Sequence, residues 1–265
     1  MKIHSLQHLL SVTEECFGDI EGLCGDLSDD EWQVQSLCPD WNVRQCLGHA
    51  VGVEDALRGW EISSETMPAF ERMTGLTEES VTMTAGEFGE RTAAIFGERR
   101  AELAALSDDD LMRESFTPVG VQAFGRFWAI RIFDMWVHVR DCTIPLGRTT
   151  DDHTGAAAIT LEEVEGSIGY IVGKKIGLPD GMSLRVDVTG PLARQIGVVV
   201  EGRASAVDPG SLEAPDVVLT ADSTTLIMLA CGRIDPQEKI DSGEISWSGN
   251  DEWGEKAARN LAFTM

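Results

Sequence analysis

Phe124-Gly125-Arg126-Phe127-Trp128-Ala129-Ile130-Arg131-Ile132-Phe133-Asp134-Met135-Trp136-Val137-His138-Val139-Arg140-Asp141-Cys142 lies in the most apolar segment of the chain. It reads as a buried helix that starts near Val121 and is ended by Pro145 and Gly147. A polar stripe interrupts it at Arg131, Asp134, His138 and Asp141. Steps of three, four and three residues put these four on one face. A helix that is apolar elsewhere and keeps its charges in one stripe either opens the stripe to solvent or lines a polar cavity with it.

Upstream, Leu6, Leu9, Leu10, Phe17, Ile20 and Leu23 recur at helical spacing within residues 6–26. Ser36-Leu37-Cys38-Pro39-Asp40-Trp41 breaks the pattern, and Asn42 then stands three residues before Gln45, the pairing of a capping box. The helix it opens carries Val43, Cys46, Leu47, Ala50, Val51 and Leu57, and it holds His49. Phe88, Ala93, Ile95, Phe96, Leu103 and Leu106 mark another helix over 84–106, ended by Ser107 and the acidic run Asp108-Asp109-Asp110. Four long helices with intervening loops predict an antiparallel four-helix bundle over residues 1–150.

Beyond Asp152 the pattern changes. A helix is predicted over 158–176. Strands follow at Leu184–Thr189, which alternates with period two, at Ile196–Val200 and at Asp216–Thr220. Ser223–Cys231 reads as a helix capped near Asp222 and stopped by Gly232, and Asp251–Phe263 as a closing helix. Residues 151–265 are therefore expected to form a small α+β domain, and the chain as a whole to be of the α+β class.

The composition excludes several kinds of partner. With 43% hydrophobic and 25% charged residues the chain has the balance of a soluble globular protein, and no apolar run is long enough to span a bilayer. Its 21 Lys and Arg stand against 45 Asp and Glu, a net charge of −24. Nucleic acid and anionic membrane surfaces both demand a basic footprint that this field opposes, so a small molecule or another protein is the expected partner. The six cysteines have no zinc-ribbon spacing, and no signal peptide precedes Glu14 and Glu15. Reduced thiols in a cytoplasmic protein are therefore expected.

Asp134 and His138, one helical turn apart, could grip a single ion; the same spacing also makes an ordinary hydrogen bond worth ~0.2–0.5 kcal/mol. His49 adds a second imidazole from another helix. Two imidazoles and one carboxylate are the donors of a catalytic zinc site with open positions.

Pro39-Asp40-Trp41-Asn42-Val43-Arg44-Gln45-Cys46-Leu47-Gly48-His49, with Glu54 five residues further on, resembles the N-terminal signature of the mycothiol-dependent maleylpyruvate isomerase family, a branch of the DinB-like metal-binding bundles. Asp134–Asp141, leading to Leu146-Gly147-Arg148, resembles its second signature. The resemblance covers about the first 150 residues and implies a divalent metal, zinc in most members, on His49, Asp134 and His138. It departs from the family at Asp134, where the isomerases typically carry glutamate. Asp216–Asp222 and Leu229-Ala230-Cys231-Gly232-Arg233 are similar to the family's smaller, sterol-carrier-like domain. There the resemblance implies that Arg233 reaches toward the active site as an anion binder, a role its planar fork suits.

The function so implied is a metal- and mycothiol-dependent isomerase or thiol S-transferase acting on a small electrophile. Asp141 and Glu54 are expected to orient the ligand imidazoles. Trp128, Trp136, Trp247 and Trp253 are expected to pack, and Cys142 to fill space. Two other readings compete: a carrier that binds an apolar ligand in its C-terminal half, and a metal-dependent hydrolase that uses a bound water and needs no thiol.

Overall fold

The computed structural model describes residues 3–264, and the chain divides into two units, Met1–Ile159 and Thr160–Met265. The first is helical, with α1 (Leu6–Asp26), α2 (Val43–Leu57), α3 (Phe70–Ser80), α4 (Ala85–Ala104) and α5 (Phe124–Thr143). Local chemistry sets the helix starts. The Asn42 side chain accepts from the Gln45 N–H at 3.0 Å while the Gln45 side chain accepts from the Asn42 N–H at 3.2 Å, the reciprocal capping box read from the sequence. Thr84 and Glu87 repeat the device at α4.

α1 packs against α4 and α5, and α2 packs against the same two helices, so these four close a bundle. Its interior is filled by Leu9, Phe17 and Ile20 of α1, Leu47 and Val51 of α2, Ile95 and Phe96 of α4, and Ile132 and Trp136 of α5. Phe17 and Phe96 stack at 3.9 Å. Trp128 donates to Thr13 at 2.7 Å, which supplies the partner a buried indole needs. A two-stranded hairpin, β1 (Glu114–Ser115) and β2 (Gln122–Ala123), leads into α5.

α3 has no counterpart among the helices expected from the sequence. Only Leu76 and Ser80 are buried along it, so its apolar stripe is too thin to register. It is held by close approach to α2: a Cβ on Gly48 would lie 2.9 Å from Ser80 Oγ, and one on Gly52 would lie 2.8 Å from the Met73 carbonyl oxygen.

The second unit begins inside α6 (Gly155–Gly166), which runs on through α7 (Ile168–Tyr170) and a wider helical turn over Ile171–Ile176, the span expected as one helix. Its sheet contains β3 (Ser183–Thr189), β4 (Arg194–Glu201), β5 (Arg203–Val207), β6 (Val217–Asp222) and β7 (Ile245–Gly249) in the order β5-β4-β3-β6-β7. β3 and β6 are parallel, and the other pairs are antiparallel. Leu184, Val186 and Val188 of β3 and Val217, Leu219 and Ala221 of β6 point to the core, as their alternation requires.

α8 (Ser223–Ala230) starts on Asp222, whose side chain accepts from the Thr224 and Thr225 N–H groups. α9 (Pro236–Ser242) and α10 (Asp251–Arg259) follow. The edge strands β5 and β7 and the short α9 escaped the sequence reading, because edge strands need bury little and α9 buries no residue. The closing helix ends at Arg259 instead of Phe263, whose N–H bonds Ala230 in place of a helical carbonyl. Trp247 packs as expected, with Gly254 against its indole ring. No helix of the described residues is long and apolar enough to cross a membrane.

Gly52 gives a test of the α2–α3 contact. In an open helix Gly→Ala stabilises by about 1 kcal/mol, but here the methyl meets the backbone of Met73, and overpacking typically costs about 1–3 kcal/mol. Gly52→Ala is expected to destabilise by about 1–2 kcal/mol, read as a lower urea midpoint at unchanged slope. A midpoint equal to or above wild type would contradict the close packing.

Candidate metal centre

α2 and α5 bring His49, Asp134 and His138 together, with one ligand atom of each within 4.8 Å of the others. His138 Nε2 lies 3.5 Å from Asp134 Oδ1. The two imidazoles meet edge to face, with centroids 5.0 Å apart at 76°. His138 is 4% exposed, whereas the Asp134 side chain is 30% exposed, so the cluster has a closed side and an open one. Trp41 stacks on His49 at 4.7 Å and 28°, and its ring lies 6.2 Å from that of His138.

A chain of charges stands behind the ligands. Asp134 Oδ2 accepts from Arg131 Nη1 at 2.5 Å, which leaves Oδ1 toward His138. Arg131 Nε donates to Glu54 Oε1 at 3.1 Å, and the other Glu54 oxygen accepts from Arg99 Nε at 3.0 Å. On the far side of the imidazole, His138 Nδ1 and Asp141 Oδ2 are 2.9 Å apart. That contact directs Nε2 toward Asp134 and His49, the arrangement by which an outer carboxylate fixes a metal-binding histidine.

The expected polar stripe is thus present, and it is buried except at Asp134, whose side chain is partly exposed. Arg131, His138 and Asp141 are buried and neutralised in line. Asp141 orients an imidazole as expected. Glu54 instead joins two arginines, and acts on Asp134 through Arg131.

These neighbours set the ionisation of the site. Burial works against the Asp134 carboxylate, but His138 and Arg131 outweigh it and hold its pKa well below the usual carboxylate range. Burial likewise works against a His138 imidazolium, yet Asp134 and, with smaller effect, Asp141 hold its pKa well above the ordinary histidine value. A positive centre between Asp134 and Asp141 is therefore electrostatically favoured. Two imidazoles and a singly available carboxylate oxygen are a donor set suited to zinc, and the arrangement fits a divalent cation on His49, Asp134 and His138.

Three side chains at the site were not singled out as functional from the sequence. Cys38 Sγ donates to Asp141 Oδ2 at 3.2 Å and lies 3.8 Å from His138 Nδ1. Cys46 Sγ lies 3.5 Å from the same nitrogen. Trp41 covers His49. The signal for Cys46 was its place three residues before His49 on one helix face. Cys38 and Trp41 lie in the loop before α2, where periodicity carries no information. The Cys46 thiol is pushed up to about 12, first by its hydrogen bond with Cys142. All six cysteines are buried and none is in a disulfide.

A separate cavity of about 580 Å³ in the same unit is lined by Trp60, Arg99, Leu103, Arg113 and Phe124, without any of the three proposed ligands. In the second unit, Arg233 follows α8. Gly232, at φ +66°, bonds Leu229 O, and the Arg233 N–H bonds Met228 O at 2.9 Å, a Schellman stop that fixes the arginine's backbone.

A family model described as the mycothiol maleylpyruvate isomerase N-terminal domain matches residues 13–142. Those residues belong to this family. Two crystal structures resemble the chain over 92% of its length and 93% of theirs. One is of the mycothiol-dependent maleylpyruvate isomerase, with a TM-score of 0.63 at 15% identity; the other is of a histidine-to-alanine mutant, with 0.61 at 14%. At such identity the likeness is one of fold. The solution structure of sterol carrier protein domain 2 of Helicoverpa armigera matches 36% of this chain and 77% of its own at 23% identity, with a TM-score of 0.26 that carries no argument about the second unit. No curated protein sequence matches the chain.

The buried charge chain gives a stability test. Glu54→Ala removes the anion between Arg99 and Arg131, and breaking a buried pair typically costs about 3–5 kcal/mol. Chemical denaturation is expected to show a loss of that size, with much of it recovered in Glu54→Gln, which keeps an acceptor. A change below about 0.5 kcal/mol, the usual size for an ordinary surface substitution, would mean the network does not hold the bundle.

Proposed function

We propose that this protein is a mycothiol-dependent isomerase in which His49, Asp134 and His138 hold a divalent metal, zinc by preference. The observation that carries this reading is the convergence of those three side chains from two helices, within the domain whose family is identified. A bound divalent cation supplies Lewis acidity, under which a coordinated thiol ionises at neutral pH. The chain then needs no nucleophilic cysteine of its own, in keeping with thiols that are all buried.

Each residue has a part in this reading. Asp141 keeps the His138 ring turned so that Nε2 faces the site, and Arg131 restricts Asp134 to one free oxygen. Trp41 shields His49 and bounds the space where the thiol and substrate meet. In an isomerase the thiol adds to one carbon of the double bond, rotation follows about the single bond so left, and elimination restores the double bond and returns the thiol. An S-transferase leaves the thiol attached; the family relationship favours the isomerase. Arg233 is proposed as the group that binds an anionic part of the substrate. Its chemistry and its fixed backbone support the role, and a dicarboxylate needs such a contact on a chain of net charge −24.

Zinc measured by plasma emission is expected near one equivalent or above in wild type. It should fall in both His49→Ala and His138→Ala, and Asp141→Asn should weaken zinc affinity about 10–100-fold. Unchanged metal content in both histidine variants would refute the ligand assignment. Turnover of a cis-configured unsaturated dicarboxylate is expected only with added mycothiol. Equal turnover without thiol would favour the hydrolase reading, and fully stable metal-free protein without turnover would favour the carrier.

Arg233→Ala is expected to keep its zinc and to lose about 1.5–3 kcal/mol in kcat/KM on the dicarboxylate, the worth of a charged hydrogen bond. Wild-type activity in that variant would remove Arg233 from the site.

A further inference from the structure

His138 is used on both edges. Its Nε2 edge faces Asp134, and its Nδ1 edge faces a second cluster of donors whose two thiols the proposed function leaves idle. Cys38 Sγ, Cys46 Sγ, Asp141 and His138 Nδ1 offer four ligand atoms within 4.8 Å of one another, and all four residues are buried.

The spacings are those of a small tetrahedral site. Zinc–sulfur bonds of about 2.3 Å and zinc–nitrogen or zinc–oxygen bonds of about 2.0 Å put tetrahedral ligand atoms about 3.2–3.8 Å apart. Cys38 Sγ is 3.8 Å from His138 Nδ1 and 3.2 Å from Asp141 Oδ2, and Cys46 Sγ is 3.5 Å from Nδ1. The 2.9 Å contact between Nδ1 and Asp141 has to open slightly, and the Cys46 thiol lies within 4.8 Å of the Cys38 thiol and of the Asp141 carboxylate.

The donors come from three pieces of the fold that are already locked together. Cys46 sits on α2, while His138 and Asp141 sit on α5. Cys38 sits in a loop pinned to α5 by the Leu37 N–H on the Asp141 carbonyl at 2.9 Å. The Ser36 hydroxyl accepts from the Cys38 N–H at 3.1 Å and holds the loop's turn. Little rearrangement is needed to close such a site around an ion.

We propose that Cys38, Cys46, Asp141 and His138 Nδ1 form a second metal site, behind the first, for a thiophilic divalent cation of the zinc, cobalt or cadmium kind. Two sulfur donors exclude magnesium and calcium, which take oxygen ligands. Binding makes two sulfur–metal bonds and sends the two S–H protons to solvent, with no change of oxidation state. The proton on Nδ1 also leaves to solvent: with the first site empty the ring keeps its other proton on Nε2, and with the first site filled it would bridge the two cations as imidazolate. Because one ring serves both sites, a cation bound at the thiols takes over the role of Asp141 in directing His138.

Cobalt(II) titration of the full chain tests the proposal, because thiolate–cobalt bonds absorb in the near ultraviolet and imidazole or carboxylate bonds do not. Wild type is expected to bind two equivalents, one of which brings the near-ultraviolet band. His49→Ala should keep the band and lose the other equivalent, whereas Cys38→Ser with Cys46→Ser should lose the band and keep one equivalent. A wild type without the band, or a band that persists in the double cysteine variant, would overturn the second site.

Zinc K-edge X-ray absorption on wild type loaded with two equivalents needs no variant. Sulfur scattering near 2.3 Å supports the site, and a shell of nitrogen and oxygen alone near 2.0–2.1 Å overturns it. A single equivalent that carries the band and survives in His49→Ala would support the thiol site while refuting the metal assignment under the proposed function, so the two readings fail separately.

Discussion

The site and much of the bundle depend on one line of buried charge. Arg99, Glu54, Arg131, Asp134, His138 and Asp141 alternate in sign when the imidazole is protonated, and each touches the next. Taking such groups out of water costs several kcal/mol per ion unless each is paired and hydrogen-bonded. The chain meets that condition by drawing on three helices, since Arg99 comes from α4, Glu54 from α2 and the rest from α5. Packing of these helices and pairing of these charges therefore require one another. This also explains how so apolar a helix as α5 carries charged residues inside the bundle. His138 stands where a positive centre must be, between two carboxylates, and a cation there serves the same electrostatic need.

A second constraint is the loop between residues 34 and 42, which ties the start of α2 to the end of α5. Val43 N–H bonds Val34 O, Leu37 N–H bonds Asp141 O, and the Cys142 thiol reaches Val43 O at 3.7 Å. With those ends joined, His49 two turns along α2 and His138 on α5 have fixed separations, and Trp41 is delivered onto His49. Cys142 was read as filling space, and its contacts with Val43 and Cys46 show it helping to seat α2 as well. The small residues of α2 do the corresponding work on the other face, where Gly48 and Gly52 admit α3.

Much of this was legible in the sequence because it obeys rules that act within a turn or two. The Asn42–Gln45 capping box, the apolar period of α1, α2, α4 and α5, the alternation of β3 and the Asp222 cap of α8 are local, and each occurs as read. The elements that were missed are those whose stabilisation comes from elsewhere. α3 rests on glycines some twenty to thirty residues upstream, and β5 and β7 are edges that exist because β4 and β6 offer them hydrogen bonds.

The same division runs through the site. The sequence by itself determined that Asp134, His138 and Asp141 share a face, because the helical repeat is set by backbone geometry, and that α2 presents a histidine from a cap fixed at Asn42. Only the tertiary structure decided that Glu54 answers to Arg99 and Arg131, and that Cys38 and Cys46 converge on His138 Nδ1. Those partners lie from 45 to 100 residues apart along the chain. Nothing in their local context selects them, since a buried charge or thiol accepts whichever complementary group the packing of apolar faces brings within about 3–4 Å.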